Sequence, residues 1–175
     1  MVRPALVLLL AAAAAGTAPV SDAVRAPRPS GGEYFGLYIL GKKVGYQYTT
    51  LTFAPGSRDK VQLVESAVLR ANVGGRNVER ATSEVRTYEA RPGGKLLSFK
   101  IEQHGDGGDQ VLEGTATANG VTVIRRRPGL PNEIRTLKPS RETVEDADQV
   151  RVALLQKKTI SGIVLNSEDL EQYRM

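Results

Sequence analysis

Apolar and polar positions alternate along most of the chain from Glu33 onward, and glycine, proline or asparagine interrupts the alternation at short intervals. Such a rhythm has the two-residue period of half-buried strands joined by tight turns. Between Lys60 and Val73 the apolar set Val61, Leu63, Ala67, Leu69, Ala71 and Val73 falls on odd positions, with Glu65 as the single exception. Gly74-Gly75 then supplies a hairpin turn, and Arg76–Glu89 returns with polar residues on both faces. That doubly polar strand predicts a sheet edge or the lining of a wet concavity. Leu97, Phe99 and Ile101 alternate with Ser98, Lys100 and Glu102; Gln110–Ala118 and Val121–Arg127 flank Asn119-Gly120, and a short strand is expected over Ile134–Leu137.

The segment Glu33–Phe53 organises the start of this pattern. Tyr34–Leu40 and Val44–Phe53 read as two strands around Gly41-Lys42-Lys43, where Gly41 can take a positive φ without steric cost. The second arm sets Val44, Tyr46, Tyr48, Thr50 and Thr52 on one face, opposite Gly45, Gln47, Thr49, Leu51 and Phe53. Four of the six tyrosines lie here, which predicts that the hairpin provides much of the aromatic packing.

From Thr143 the period changes to three and four. Val144, Ala147, Val150, Ala153 and Leu154 predict a helix over Thr143–Lys158, with Thr143 and Asp146 as a capping box and Gly162 as a stop. Ile163–Leu165 reads as one more strand, and Ser167–Tyr173 is too polar to pack alone. The expected fold is mainly β: a single curved antiparallel meander sheet of about seven to nine strands, with one α-helix in the C-terminal half.

Composition changes the picture at the N-terminus. Arg3 followed by the unbroken apolar run Ala5–Ala15 has the form of a secretory signal sequence, too short for the roughly 20 residues that span a bilayer. Cleavage fits after Ala15 or Gly16, or after Ala23 with Ser21 at the −3 position. The last choice divides the chain into a signal peptide 1–23, a flexible Pro/Gly/Ser-rich linker 24–32 and a β-rich domain 33–175. The mature chain is then expected to lack a transmembrane segment and to lie in the periplasm, at the cell surface or outside the cell. The polar end at Arg174-Met175 predicts that the domain is truncated at its C-terminus.

Candidate chemistry is sparse. Without cysteine there is neither a thiol nucleophile nor a disulfide, and a single histidine, His104, sits beside the Gly/Asp turn 105–109. One histidine cannot supply the usual zinc ligands, and the Asp106/Asp109 pair lacks the spacing of a calcium loop. No enzyme activity, catalytic residue, metal or cofactor is expected. The net charge of +5 favours weak attraction to polyanions. Arg125 and Arg127, which share a strand face in the Arg125-Arg126-Arg127 run, and Lys42 and Lys43 are the candidates for it. No aromatics lie near the arginine run, so an edge strand guarded by charge is its leading account, and specific nucleic-acid binding is not expected.

Two segments resemble the N-terminal, non-catalytic β region of exported bacterial (myxobacterial-type) transglutaminase-like proteins. One is Glu33-Tyr34-Phe35-Gly36-Leu37-Tyr38 with Gly41-Lys42-Lys43-Val44-Gly45-Tyr46. The other is Glu142-Thr143-Val144-Glu145-Asp146-Ala147-Asp148, continuing to Ser161-Gly162 and Asp169-Leu170-Glu171-Gln172-Tyr173. In that family a secreted β domain precedes a papain-like core with a Cys-His-Asp triad. This chain has no Cys, so the resemblance implies the accessory region alone.

The expectation is therefore an exported, non-enzymatic accessory or interaction domain. The alternative is a periplasmic carrier of lipid or lipoprotein type, whose concave apolar face would include Val61, Leu63, Leu69, Leu97, Phe99 and Ile101. The partner under either reading is a lipid or another envelope protein.

Overall fold

A computed structural model describes residues 19–39, 41–149, 163–166 and 171–174. The signal-like run 1–18, the helix beyond residue 149, the Gly162 stop and the motif residues Ser161, Asp169 and Leu170 lie outside the described residues.

Eight strands form one open antiparallel sheet in sequential order. They are β1 (Glu33–Ile39), β2 (Lys42–Phe53), β3 (Lys60–Val73), β4 (Arg76–Glu89), β5 (Leu96–Gly105), β6 (Gln110–Thr117), β7 (Gly120–Arg126) and β8 (Glu133–Leu137). The meander follows from the turns. Gly41 has φ 77°, and Gly74 and Gly75 have φ 58° and 82°, which other residues adopt only with strain. Lys42 and Lys43 belong to β2 rather than to the turn, pairing with Ile39 and Tyr38.

Residues 144–149 are helical (α2) among the described residues. The expected capping box forms: Thr143 N–H donates to Asp146 Oδ2 at 2.9 Å, and Asp146 N–H donates to Thr143 Oγ1 at 3.3 Å. A second, two-stranded antiparallel sheet pairs β9 (Ile163–Asn166) with β10 (Glu171–Arg174), so part of the polar tail is a strand after all.

Cross-strand register aligns one inner face: Thr49 and Leu51 on β2, Val61 and Leu63 on β3, Arg86 and Tyr88 on β4, Phe99 and Ile101 on β5, Leu112 on β6 and Val123 on β7. These residues are buried and form the core together with Val144 of α2. Gly114 makes room for it, since a Cβ there would fall 2.1 Å from the Phe99 ring.

Four expectations change. β4 is not an edge: it lies between β3 and β5, and its polarity serves an internal charge cluster. β7 is not an edge either, because β8 pairs along it and takes the outer position. The hairpin tyrosines do not pack the core: Tyr34, Tyr38 and Tyr46 are exposed on the outer face, while the fully buried tyrosine is Tyr88. Their hydroxyls and the outward register explain this, since strand alternation puts them opposite Thr49 and Leu51. The first part of the 24–32 linker is anchored rather than free: Arg28 binds Asp148, and the preceding short helix α1 (Asp22–Arg25) is held through Ser21, which binds Glu145 and Ala90. Its sequence shows tether composition, but small side chains such as Ser21 and Ala23 can also fill gaps.

Candidate functional site

The inner face places the apolar candidates as follows. Val61, Leu63, Phe99 and Ile101 are between 0% and 4% exposed, already packed as core. Leu69 is half-buried toward the far end of β3. Leu97 is the extra residue of a bulge: Ser98 pairs with Thr87 and Leu96 with Tyr88, leaving Leu97 unpaired. The bulge shifts the alternation by one, so Leu96, not Leu97, joins Phe99 and Ile101 in the core. Simple alternation misses this, because nothing in the residues 96–98 marks the shift.

The basic candidates do not assemble. Lys42 and Lys43 open β2, whereas Arg125 lies on β7 with Arg127 just beyond it, and four strands separate the two groups. Arg125 and Arg127 approach Glu133 at 3.5 and 3.9 Å, and Arg126 meets Glu113 at 2.6 Å. Their charge is largely met within the sheet. His104 is exposed at the end of β5, with Nδ1 3.3 Å from Asp109. Among the described residues no group of histidine and acidic side chains could hold a metal ion.

Sequence reasoning missed a buried charge cluster. After Ser140, residues 142–144 run beside the start of β5: Leu96 N–H donates to Glu142 O, and Val144 N–H to Gly94 O at 2.8 Å. This pairing brings the Glu142 carboxylate over β4, where Arg86 Nη1 donates to Oε1 at 2.5 Å and Tyr88 Oη at 2.7 Å. Arg86 Nε also donates to Glu84. Glu65 stands directly across from Glu84 in the β3–β4 register and accepts from Gln47 Nε2 at 3.1 Å. The only available signal was Glu65 interrupting an apolar face opposite a glutamate.

Three carboxylates thus surround one guanidinium. Burial opposes the charge of Arg86, but the Glu84 and Glu142 carboxylates outweigh it and hold its proton affinity well above the ordinary arginine value. Burial raises Glu65 above the usual glutamate value, and the like charge of Glu84 adds to the rise. Burial also raises Glu142, against the attraction of Arg86. Tyr88 is raised far above its normal value, first by burial. The cluster joins the 142–149 segment to the centre of the sheet and presents no open chemistry to solvent.

A second anchoring set lies at the N-terminal segment. Ser21 Oγ donates to Glu145 Oε1 at 2.6 Å, and Ser21 N–H donates to Ala90 O at 2.8 Å. Arg28 Nη2 donates to Ala23 O at 2.9 Å and to Asp148 Oδ1 at 2.5 Å. Burial pushes the Glu145 carboxyl up, but hydrogen bonds led by that from Ser21 hold it below the usual value.

The outer face differs in kind. Tyr34 and Tyr48 meet with ring centroids 5.0 Å apart, and Tyr38 and Tyr46 lie on the same exposed surface of β1 and β2. β1 ends the sheet, pairing only with β2 among the described residues. Two depressions of about 330 Å³ each flank the tip of the β3–β4 hairpin. The first, lined by Arg70, Asn72 and Asn77 among others, is mainly polar, and the second, which includes Val78, Arg80 and Gln103, mixes polar and apolar surface. Among the described residues no helix is long and apolar enough to cross a membrane. Comparison of the chain with protein-family models, curated proteins and solved structures finds no match.

Proposed function

We propose that the chain is an exported, non-enzymatic accessory domain that acts by binding another protein through the aromatic side of its β1–β2 hairpin. The observation that carries this reading is the set Tyr34 and Tyr38 on β1, which ends the sheet among the described residues, with Tyr46 on the adjacent β2, all exposed on one face. Tyrosine offers a large rigid apolar surface with a hydroxyl at its end, and it is enriched where proteins meet. A strand that ends the sheet among the described residues provides a second means of contact. Export rests on the Arg3 and Ala5–Ala15 pattern, and the accessory role rests on the resemblance to the region that precedes a transglutaminase-like core.

The test places a photo-crosslinking residue at Tyr38 or at Thr115, an exposed position on the same outer face of β6. In cells that make the chain, Tyr38 is expected to yield a discrete protein adduct and Thr115 none. Identical adducts from both positions, or substrate turnover by the pure chain that His104→Ala abolishes, would overturn the reading.

A further inference from the structure

The division of the N-terminal segment decides among the three cleavage positions that its sequence allows. Cleavage after Ala23 would remove Ser21, which is fully buried, together with Ala23, which is part of the core. It would take away the Ser21 hydroxyl from Glu145 and the Ser21 N–H from Ala90 O, and it would replace the first turn of α1 with a charged amine at Val24. A free α-amino group beside the apolar core carries a desolvation cost that the uncut peptide does not. Ser21 is also the cap of α1, accepting from Ala23 N–H at 3.2 Å.

The lost contacts would reach further than the strap itself. Ser21 and Arg28 both bind acidic residues of α2, Glu145 and Asp148, so this strap fastens α2 as well as covering the sheet. The Ala23 carbonyl that accepts from Arg28 belongs to the residue a late cut would release. Processing acts on the extended chain before it folds, so what matters is which residues the folded domain retains. Ala15 and Gly16 both satisfy the small-residue requirement of the cutting enzyme, and both precede every contact described above.

We infer that the leader is removed after Ala15 or Gly16, and that Ser21–Arg28 remains in the mature protein as a structural strap across the sheet and α2. The inference rests on the export reading, and its test separates the two. The full chain, carrying its own leader, is expressed in an exporting bacterial host, and the exported material is read by intact mass and N-terminal sequencing. An N-terminus at Gly16 or Thr17 is expected. One at Val24 overturns the inference while leaving export intact. A chain that stays uncut overturns the export reading and this one with it. A second measurement addresses the strap directly: Ser21→Ala in the full chain should lower Tm by about 3–6 °C, through loss of one charge-assisted hydrogen bond and a cap. An unchanged Tm would overturn the structural role.

Discussion

Strand β2 sends Thr49 and Leu51 into the interior and sets Tyr46 on the opposite side, 46% exposed. The same contrast runs across the sheet. Inside, a charge cluster and an aliphatic core share one surface, and two short segments distant in sequence cover it. Outside, the hairpin aromatics meet solvent. Residue character alone would suggest the reverse, with tyrosines inside and Glu65, Glu84, Arg86 and Glu142 outside. What decides is partnership. A buried ion is tolerated when its neighbours satisfy it, and an aromatic can remain outside where no second layer among the described residues covers it.

The largest test of this contrast removes the central cation. Arg86→Met leaves Glu84 and Glu142 facing one another without compensation, and is expected to cost about 3–5 kcal/mol in a urea titration. A loss below about 1 kcal/mol would place the stability of the inner face in its aliphatic residues alone.

A smaller effect concerns protons. Folding raises Glu65 and Glu142, so the folded state holds their protons more tightly than the unfolded chain does. Their contribution is complete below the ordinary glutamate value of 4.5 and is lost as pH rises through their raised folded values. Glu65→Gln keeps an oxygen for Gln47 and removes the charge facing Glu84. It should stabilise the domain at pH 7 by about 0.2–1 kcal/mol, the scale of a like-charge cross-strand pair. The denaturation midpoint should also change less across the acid-to-neutral range.

The smallest effect is expected outside. Tyr38→Ser should leave stability within about 0.5 kcal/mol, because the ring it removes is mostly solvated. A loss of several times that size would mean the outer face supports the fold rather than a partner.

Strand positions were legible because their determinants are local. Lys60–Val73 and Arg76–Glu89 follow from alternation and the Gly74-Gly75 turn, and the structure keeps both ranges. The Thr143–Asp146 cap was legible for the same reason. The charge cluster was not, because Glu142 reaches Arg86 across 56 positions and its residue type alone reads as surface. Leu97 was assigned to the buried face because a one-residue bulge leaves no mark on composition. Arg125–Arg127 suggested an edge until β8 supplied the pairing strand and Glu133 its counter-charge.

The sequential order of the sheet and the long span of its strap set different timescales for assembly. Each of the eight strands finds its partner next to it in the chain, so the sheet can grow by short loop closures. The contacts that close the inner face wait much longer, because Ser21 and Glu145 are 124 positions apart and Arg28 and Asp148 are 120 apart. A folding chain can therefore form the sheet before residues 142–149 and the Ser21–Arg28 strap cover it. During that interval its aliphatic face is available to a chaperone or to another unfinished copy.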